Sequence, residues 1–452
     1  MSAAPGPRDA HGNPVSLGDP ASLARVDDFV AGFVMCEARV VRILEAAAHD
    51  ASTTVQAYAA ALHMFAESAD GPANARPFIG RALESQSRAS PRERRFAAAV
   101  KAWVDGDVAG AIRLHEEQAR EHPRDLVSVK LGQYHCFNLG DSPGMLRLAL
   151  AVRDACADVP QVHGMAAFGF EQCHLLDHAE RAARRALEMT AREPWAQHAL
   201  AHVMLTQGRV DEGRAFMEAA SPRWTGLNSF MVTHNWWHLA LFLIEQGDGA
   251  GALALYDREV WGVEKGYSQD QIGAVSLLAR LELAGVDVGG RWDDVASYLA
   301  ARVDEHVQPF LDLQYLYGLA RAGRAEADRM LASIEAFAAR APRAVRGAWQ
   351  RVCVPAARGL LAYARGDDEA AIDALGAALP RMAEIGGSHA QRDLFEQVWL
   401  GALMRAGRWA GAQNVLQPRA NAHPQSVRLR RQLEGAYRAL GLPPIPAPSP
   451  AG

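Results

Sequence analysis

Apolar residues return every three to four positions along most of this chain, in blocks about 12–15 residues long, the signature of amphipathic helices. A recurring break separates the blocks: a Gly, polar residues, then a mostly small residue five positions on. It reads Gly106…Ala111, Gly140…Met145, Gly208…Gly213, Gly247…Ala252, Gly366…Ala371 and Gly407…Ala412. Gly106 and Gly140 are 34 residues apart, and Gly208 lies 68 further, two lots of 34. A unit lacking its Gly is therefore expected between them, centred on His174 with Ala179 at the small position. Pro123, Pro160, Pro194 and Pro424 close several units. Each feature has a mechanical reason. Gly accepts the positive φ of a tight turn between helices. A small residue lets the two helices approach, and a Pro ends the second one.

Paired helices repeating every 34 residues have the length of a tetratricopeptide unit. The segment HNWWHLALFLIEQGDGAGALALYD fits best. With Gly247 as position 15 of the motif, Trp236, Leu239, Ala240, Ala252 and Tyr256 fall at 4, 7, 8, 20 and 24, the slots for Trp, Leu, a small residue, Ala and an aromatic. Spacing then drifts to 39 residues between Gly208 and Gly247 and 41 between Gly366 and Gly407, with weaker punctuation across 255–350. The expectation is an all-α fold: an α-solenoid of irregular tetratricopeptide-like helix pairs, wound as a right-handed superhelix, over residues 91–440. Residues 21–90 read as a helical N-terminal cap that covers the first apolar face. Residues 1–20, MSAAPGPRDAHGNPVSLGDP, read as a flexible leader, and 441–452 as a Pro-rich disordered tail.

Charge and cysteine usage narrow the function classes. Forty-seven Lys and Arg against 52 Asp and Glu leave a net charge of −5, which argues against a binder that neutralises nucleic-acid phosphates. Cys36, Cys136, Cys156, Cys173 and Cys353 are odd in number, scattered and without a CxxC, the pattern of buried reduced thiols in a cytoplasmic protein. No run approaches ~18 uninterrupted apolar residues, so neither a membrane span nor a membrane partner is expected. P-loop, GxGxxG and GxSxG matches are absent, which removes motif support for nucleotide and hydrolase chemistry.

Two places carry candidate chemistry. His198 and His202, and His234 and His238, are i, i+4 pairs on the first helices of successive units, so each pair presents both imidazoles on one helix face. Imidazole pairs suit Zn, Fe, Cu or Ni, with Asp312 or Asp393 as carboxylates that a curled solenoid would supply. The residues inside the pairs are Ala-Leu-Ala and Asn-Trp-Trp, so HExxH and its general-base Glu are missing. The register places His234 and His202 roughly 10 Å apart along the helix axis, which strains a single site using all four. The alternative is a polar ligand surface, with Trp237 facing the groove and Trp236 in the core. The second place is Gly386-Gly387-Ser388-His389-Ala390-Gln391-Arg392-Asp393. Ser388 reads as an N-cap, so the helix start, with Gln391, Arg392 and Asp393 in its first turn, forms either an anion site or an ordinary cap and ion pair.

The segments HNWWHLALFLIEQGD, RWDDV and IGGSHAQRDLFEQ, in that order, together with PRERRF and PWAQHALAHV, resemble the tetratricopeptide repeat protein 38 family over about residues 14–440. The resemblance implies an α-solenoid of degenerate repeats in the cytosol and brings no assigned catalytic mechanism. Function stays open at this point between two readings. One is a binding protein that captures a peptide, partner protein or small molecule on a His- and Trp-lined concave surface. The other is a metal-dependent enzyme that uses the four histidines with Arg392 and Asp393.

Overall fold

Turns set the architecture. In a computed structural model, which describes residues 6–443, all six expected turn glycines are left-handed, with φ of 82° at Gly106, 71° at Gly140, 69° at Gly208, 81° at Gly247, 80° at Gly366 and 70° at Gly407. His174 takes φ 57° in the unit without a Gly, a conformation that costs a non-Gly residue about 1–2 kcal/mol. One bond pattern closes these turns: the Gly106 N–H donates to Trp103 O at 2.9 Å and the Asp107 N–H to Ala102 O at 2.8 Å. Asp107, Asp141, Asp248 and Asp367 then cap the next helix by accepting from the backbone N–H three residues on. Gly285 (φ 83°) and Gly323 (φ 65°) form the same turn within 255–350, so the weak punctuation there is a matter of spacing and not of turn chemistry.

The helices between these turns run from Leu23 to Ala439 and pack in consecutive pairs, an all-α solenoid. At the close-approach positions Ala111, Ala179, Ala252, Ala371 and Ala412 are fully buried. At Gly213 a Cβ would meet the Phe242 ring at 2.2 Å. Outer helices are one-sided: Leu176–Met189 buries only Ala179, Ala183 and Ala186. Inner helices such as Leu126–Asn138, Pro160–Gln172 and Ser268–Leu283 are buried almost all round, and they include Gln133, Glu171, Gln271 and Arg280. The five cysteines are free thiols. Among the described residues no helix is long and apolar enough to cross a membrane.

The chain divides into two compact units, and the division falls well past residue 90. The first holds the chain up to Leu200 plus Arg223–Met231, the second Ala201–Pro222 and the chain from Val232. In the first unit the expected leader is a correction. Asp9 accepts from the backbone of His11 and Asn13, and Asn13 donates to Arg124 O at 3.0 Å. The Ser16 N–H donates to the Glu93 carboxylate at 2.7 Å, and the Gly18 and Asp19 N–H groups donate to Asp50. Its Pro, Gly and charge content resembles a linker, but carboxylates on the body answer its backbone donors. The Pro91–Val104 helix supplies two of these anchors, Glu93 through a Ser90 capping box and Arg92 through Pro14 O. Most of the Pro-rich tail lies outside the described residues.

The second unit closes on itself. The Val210 N–H donates to the Gln425 side chain at 2.8 Å, and Arg428 pairs with Glu245 at 2.7 Å, contacts more than 180 residues apart in sequence. Around Gly208 a Cβ would meet the Ala422 carbonyl at 2.9 Å, so the last helices sit directly on the turn that follows the first. Gly213→Ala is expected to destabilise by about 1–3 kcal/mol through overpacking against Phe242. Gly435→Ala, with open space at its Cβ, should stabilise by roughly 0.5–1 kcal/mol through helix propensity. Urea unfolding of both variants checks the opposite signs.

Candidate functional site

Two helices carry the histidines. Pro194–Thr206 begins on a Pro, with the Glu193 carboxylate accepting from the Ala196 N–H, and ends at the Gly208 turn. Ser229–Gln246 starts where Asn228 accepts from the Met231 N–H at 2.9 Å and ends at the Gly247 turn. Within the second unit the His202 and His238 rings lie 4.5 Å apart between centroids, and His234 and His238 lie 4.7 Å apart. His198 precedes His202 by one turn of the same helix. Within the second unit one ring nitrogen from each of His202, His234 and His238 lies within 4.8 Å of the others, and all three residues are buried. The roughly 10 Å separation that register gives His234 and His202 therefore does not hold between their rings. Register measures height along a helix, whereas imidazoles tilt several ångströms from their Cα atoms and converge.

The donors are slightly wider than an ion requires. Zinc–nitrogen bonds of ~2.0–2.1 Å in a tetrahedron place donors about 3.3 Å apart, so the widest pair would close by about 1.5 Å. The protonation state of His234 suits the task. Burial, followed by the charge of His202, pushes the His234 imidazole down to about 3, which leaves it neutral, the ligand form, near pH 7. Asn235, fully buried beside His234, makes no hydrogen bond to the described residues through either amide atom. A buried unpaired polar group costs about 1–3 kcal/mol, and such groups call for an explanation.

Burial differs from the expectation at Trp237 and Trp236. Trp237 is fully buried, stacked on His234 at 5.2 Å and 7°, with the Arg280 guanidinium 5.3 Å from its ring; Trp236 is only partly buried. Asp312 joins a different histidine: the His306 Nδ1 lies 2.6 Å from its carboxylate. Burial lifts the Asp312 carboxyl to about 6 against the pull of His306. The His306 Nε2 lies 2.8 Å from Ser333 Oγ, an order that imitates a nucleophile, base and acid. Yet Ser333 Oγ also lies 2.5 Å from the Asp304 carboxylate, which has only acceptors and therefore takes the hydroxyl proton. The four groups form one hydrogen-bond chain in which the Ser333 hydroxyl proton is already committed, while the second Asp312 oxygen has no partner among the described residues.

At Gly386–Asp393 the cap forms as expected: Ser388 accepts from the Gln391 N–H, and the Gln391 side chain accepts from the Ser388 N–H. The anion clamp does not form there. Arg392 folds back onto the Gly386 and Gly387 carbonyls. Asp393 leaves its neighbour and pairs with Arg419 and Gln397. Burial opposes its ionisation, but Arg419, Arg280 and Arg428 together hold it below the usual carboxylate range. Arg280, Arg419, Arg428 and Glu245 escaped the sequence reading. A lone Arg inside the apolar run Leu277-Leu278-Ala279-Arg280-Leu281 was the available signal.

A scan against protein-family models finds no match for this chain. The residue that starts the first histidine helix supplies a pH test. Burial lifts the Glu193 carboxyl to about 7 from 4.5, against the Ala196 N–H bond and the charge of Lys130. A raised acid stabilises the fold below its unfolded value and loses that contribution as pH rises through its folded one. At ~1.36 kcal/mol per pH unit the loss approaches about 3 kcal/mol by pH 8. Glu193→Gln keeps an acceptor for Ala196. Relative to the parent, its unfolding midpoint should therefore rise between pH 5 and pH 8; parallel pH profiles would remove the assignment.

Proposed function

We propose that this chain is a tetratricopeptide-like repeat protein whose second unit binds one first-row transition ion through His202, His234 and His238, and captures a small-molecule ligand there. One observation carries the reading: three buried imidazole nitrogens of that unit gather within 4.8 Å. Neutral imidazoles accommodate Zn, Fe, Cu or Ni. No carboxylate joins the group among the described residues, so a divalent ion there keeps its full charge and attracts an anionic or polarisable ligand. The unpaired amide of Asn235 next to His234 is consistent with a guest in this region.

The tetratricopeptide reading draws support from the 34-residue spacing and the left-handed turn glycines. Small molecules are favoured over peptides because the second unit closes on itself and because its inner helices carry histidine and tryptophan. An open groove for an extended peptide would need accessible polar groups along several successive inner helices.

Elemental analysis of protein purified without a histidine tag tests the proposal. The expected result is close to one transition ion per chain. His202→Ala and His238→Ala should each reduce it to background while helical circular dichroism persists. Adding the ion at 100-fold over Kd to metal-free protein should stabilise it by about 2.7 kcal/mol. Metal content unchanged by both substitutions, or no thermal shift with any of the four ions, would sink the proposal.

A further inference from the structure

A second site lies wholly within the second unit. Fourteen residues enclose a cavity of about 190 Å³. Its polar side is Arg280, Arg419, Arg428, Asp393, Glu245 and Gln397, and its apolar side includes Leu205, Leu241, Ile244 and Leu429. The arginines and the acids they meet balance in number, but the ion pairs are unevenly shared. Arg419 binds Asp393 and Glu396, and Arg428 binds Glu245, so each acid within the cavity already holds an arginine. Arg280 is different. It is 2% exposed, and its guanidinium meets only neutral groups: Ser276 Oγ at 2.8 Å, the Ala390 carbonyl and the face of Trp237. No carboxylate lies within ion-pair distance of it among the described residues. A guanidinium has five N–H donors, and the two bonds to protein leave three.

A buried guanidinium with no carboxylate in direct contact and donors left over is costly, and the Asp393 charge reaches it only through space. Burial pulls the Arg280 guanidinium down to about 10, still charged at neutral pH. From this geometry we infer that the cavity binds a small monocarboxylate with a short apolar body, its carboxylate on Arg280 and its body against Leu205, Leu241, Ile244 and Leu429. The donors left over on Arg280 call for an acceptor, and the planar guanidinium fork matches a carboxylate. The volume sets the size. It is below the roughly 300–1,000 Å³ of pockets for drug-sized ligands, which suits a short-chain acid.

Arg392 and His238 lie outside the cavity lining and serve as controls. Calorimetric titration of the full chain with sodium hexanoate should show one site. Hexanamide, the same body without charge, should bind at least tenfold more weakly to the same protein. Arg280→Gln should lose at least tenfold in hexanoate affinity, Arg280→Lys less, and Arg392→Gln nothing. His238→Ala should bind hexanoate normally, which separates failure of this site from failure of the metal centre. Equal affinity for hexanoate and hexanamide, no binding at millimolar hexanoate, or unchanged affinity in a folded Arg280→Gln would each overturn the inference.

Discussion

A helix buried on all sides can turn none of its polar side chains to water, so every such group must be answered by a neighbouring helix or by a guest. That constraint organises this protein. Outer helices such as Leu176–Met189 bury one stripe of small residues and leave their charges in solvent. The inner helices bear the polar load. Gln133 donates to the Met145 and Met165 carbonyls on two other helices. His115 meets Ser128 at 2.7 Å, and Arg92 meets Asp125 at 3.0 Å with both almost fully buried. Such bonds fix the order in which units stack, because a slipped pair would strand a donor at about 1–3 kcal/mol. Close packing through alanine and glycine brings the helices near enough for these bonds to form.

Legibility followed the range of the interaction. Turn glycines, small positions and caps act within a few residues, and they were read correctly down to His174, a left-handed residue found only because 34 fits twice into 68. The histidine pairs were legible for the same reason, since i, i+4 spacing is local. Their convergence was not, because it depends on how two helices tilt against each other, and the motif register carries height alone. Trp236 and Trp237 differed from the expectation for a related cause. Adjacent helical residues differ by about 100°, so a modest rotation of the helix decides which one is buried.

Long-range charge pairing was the least visible layer. Arg392 and Asp393 are neighbours and looked like partners, yet one turns to the carbonyls of its own loop and the other to Arg419, 26 residues away. Residues 6–20 misled in the opposite sense. Gly, Pro and charge read as a linker on composition, but Asp50 and Glu93 spend their oxygens on that segment's backbone N–H groups. Burial opposes the ionisation of Glu93, while bonds from Ser16, Ser90 and Thr54 lower its carboxyl. A buried carboxylate with several donors is a stable arrangement, and no composition count shows it.

The same constraint separates the two candidate sites chemically. The histidine group has no carboxylate among it in the described residues, and burial keeps His234 neutral. The cavity beside it is built from permanent charges, with Arg280 outside ion-pair distance of the acids that line it. Trp237 touches both, stacked on His234 and carrying Arg280 near its ring. An ion among the histidines and an anion on Arg280 would carry opposite charges. The indole between them is an apolar spacer, which limits direct pairing of the arginine with the imidazoles and keeps the guanidinium from competing with a metal ion for those nitrogens.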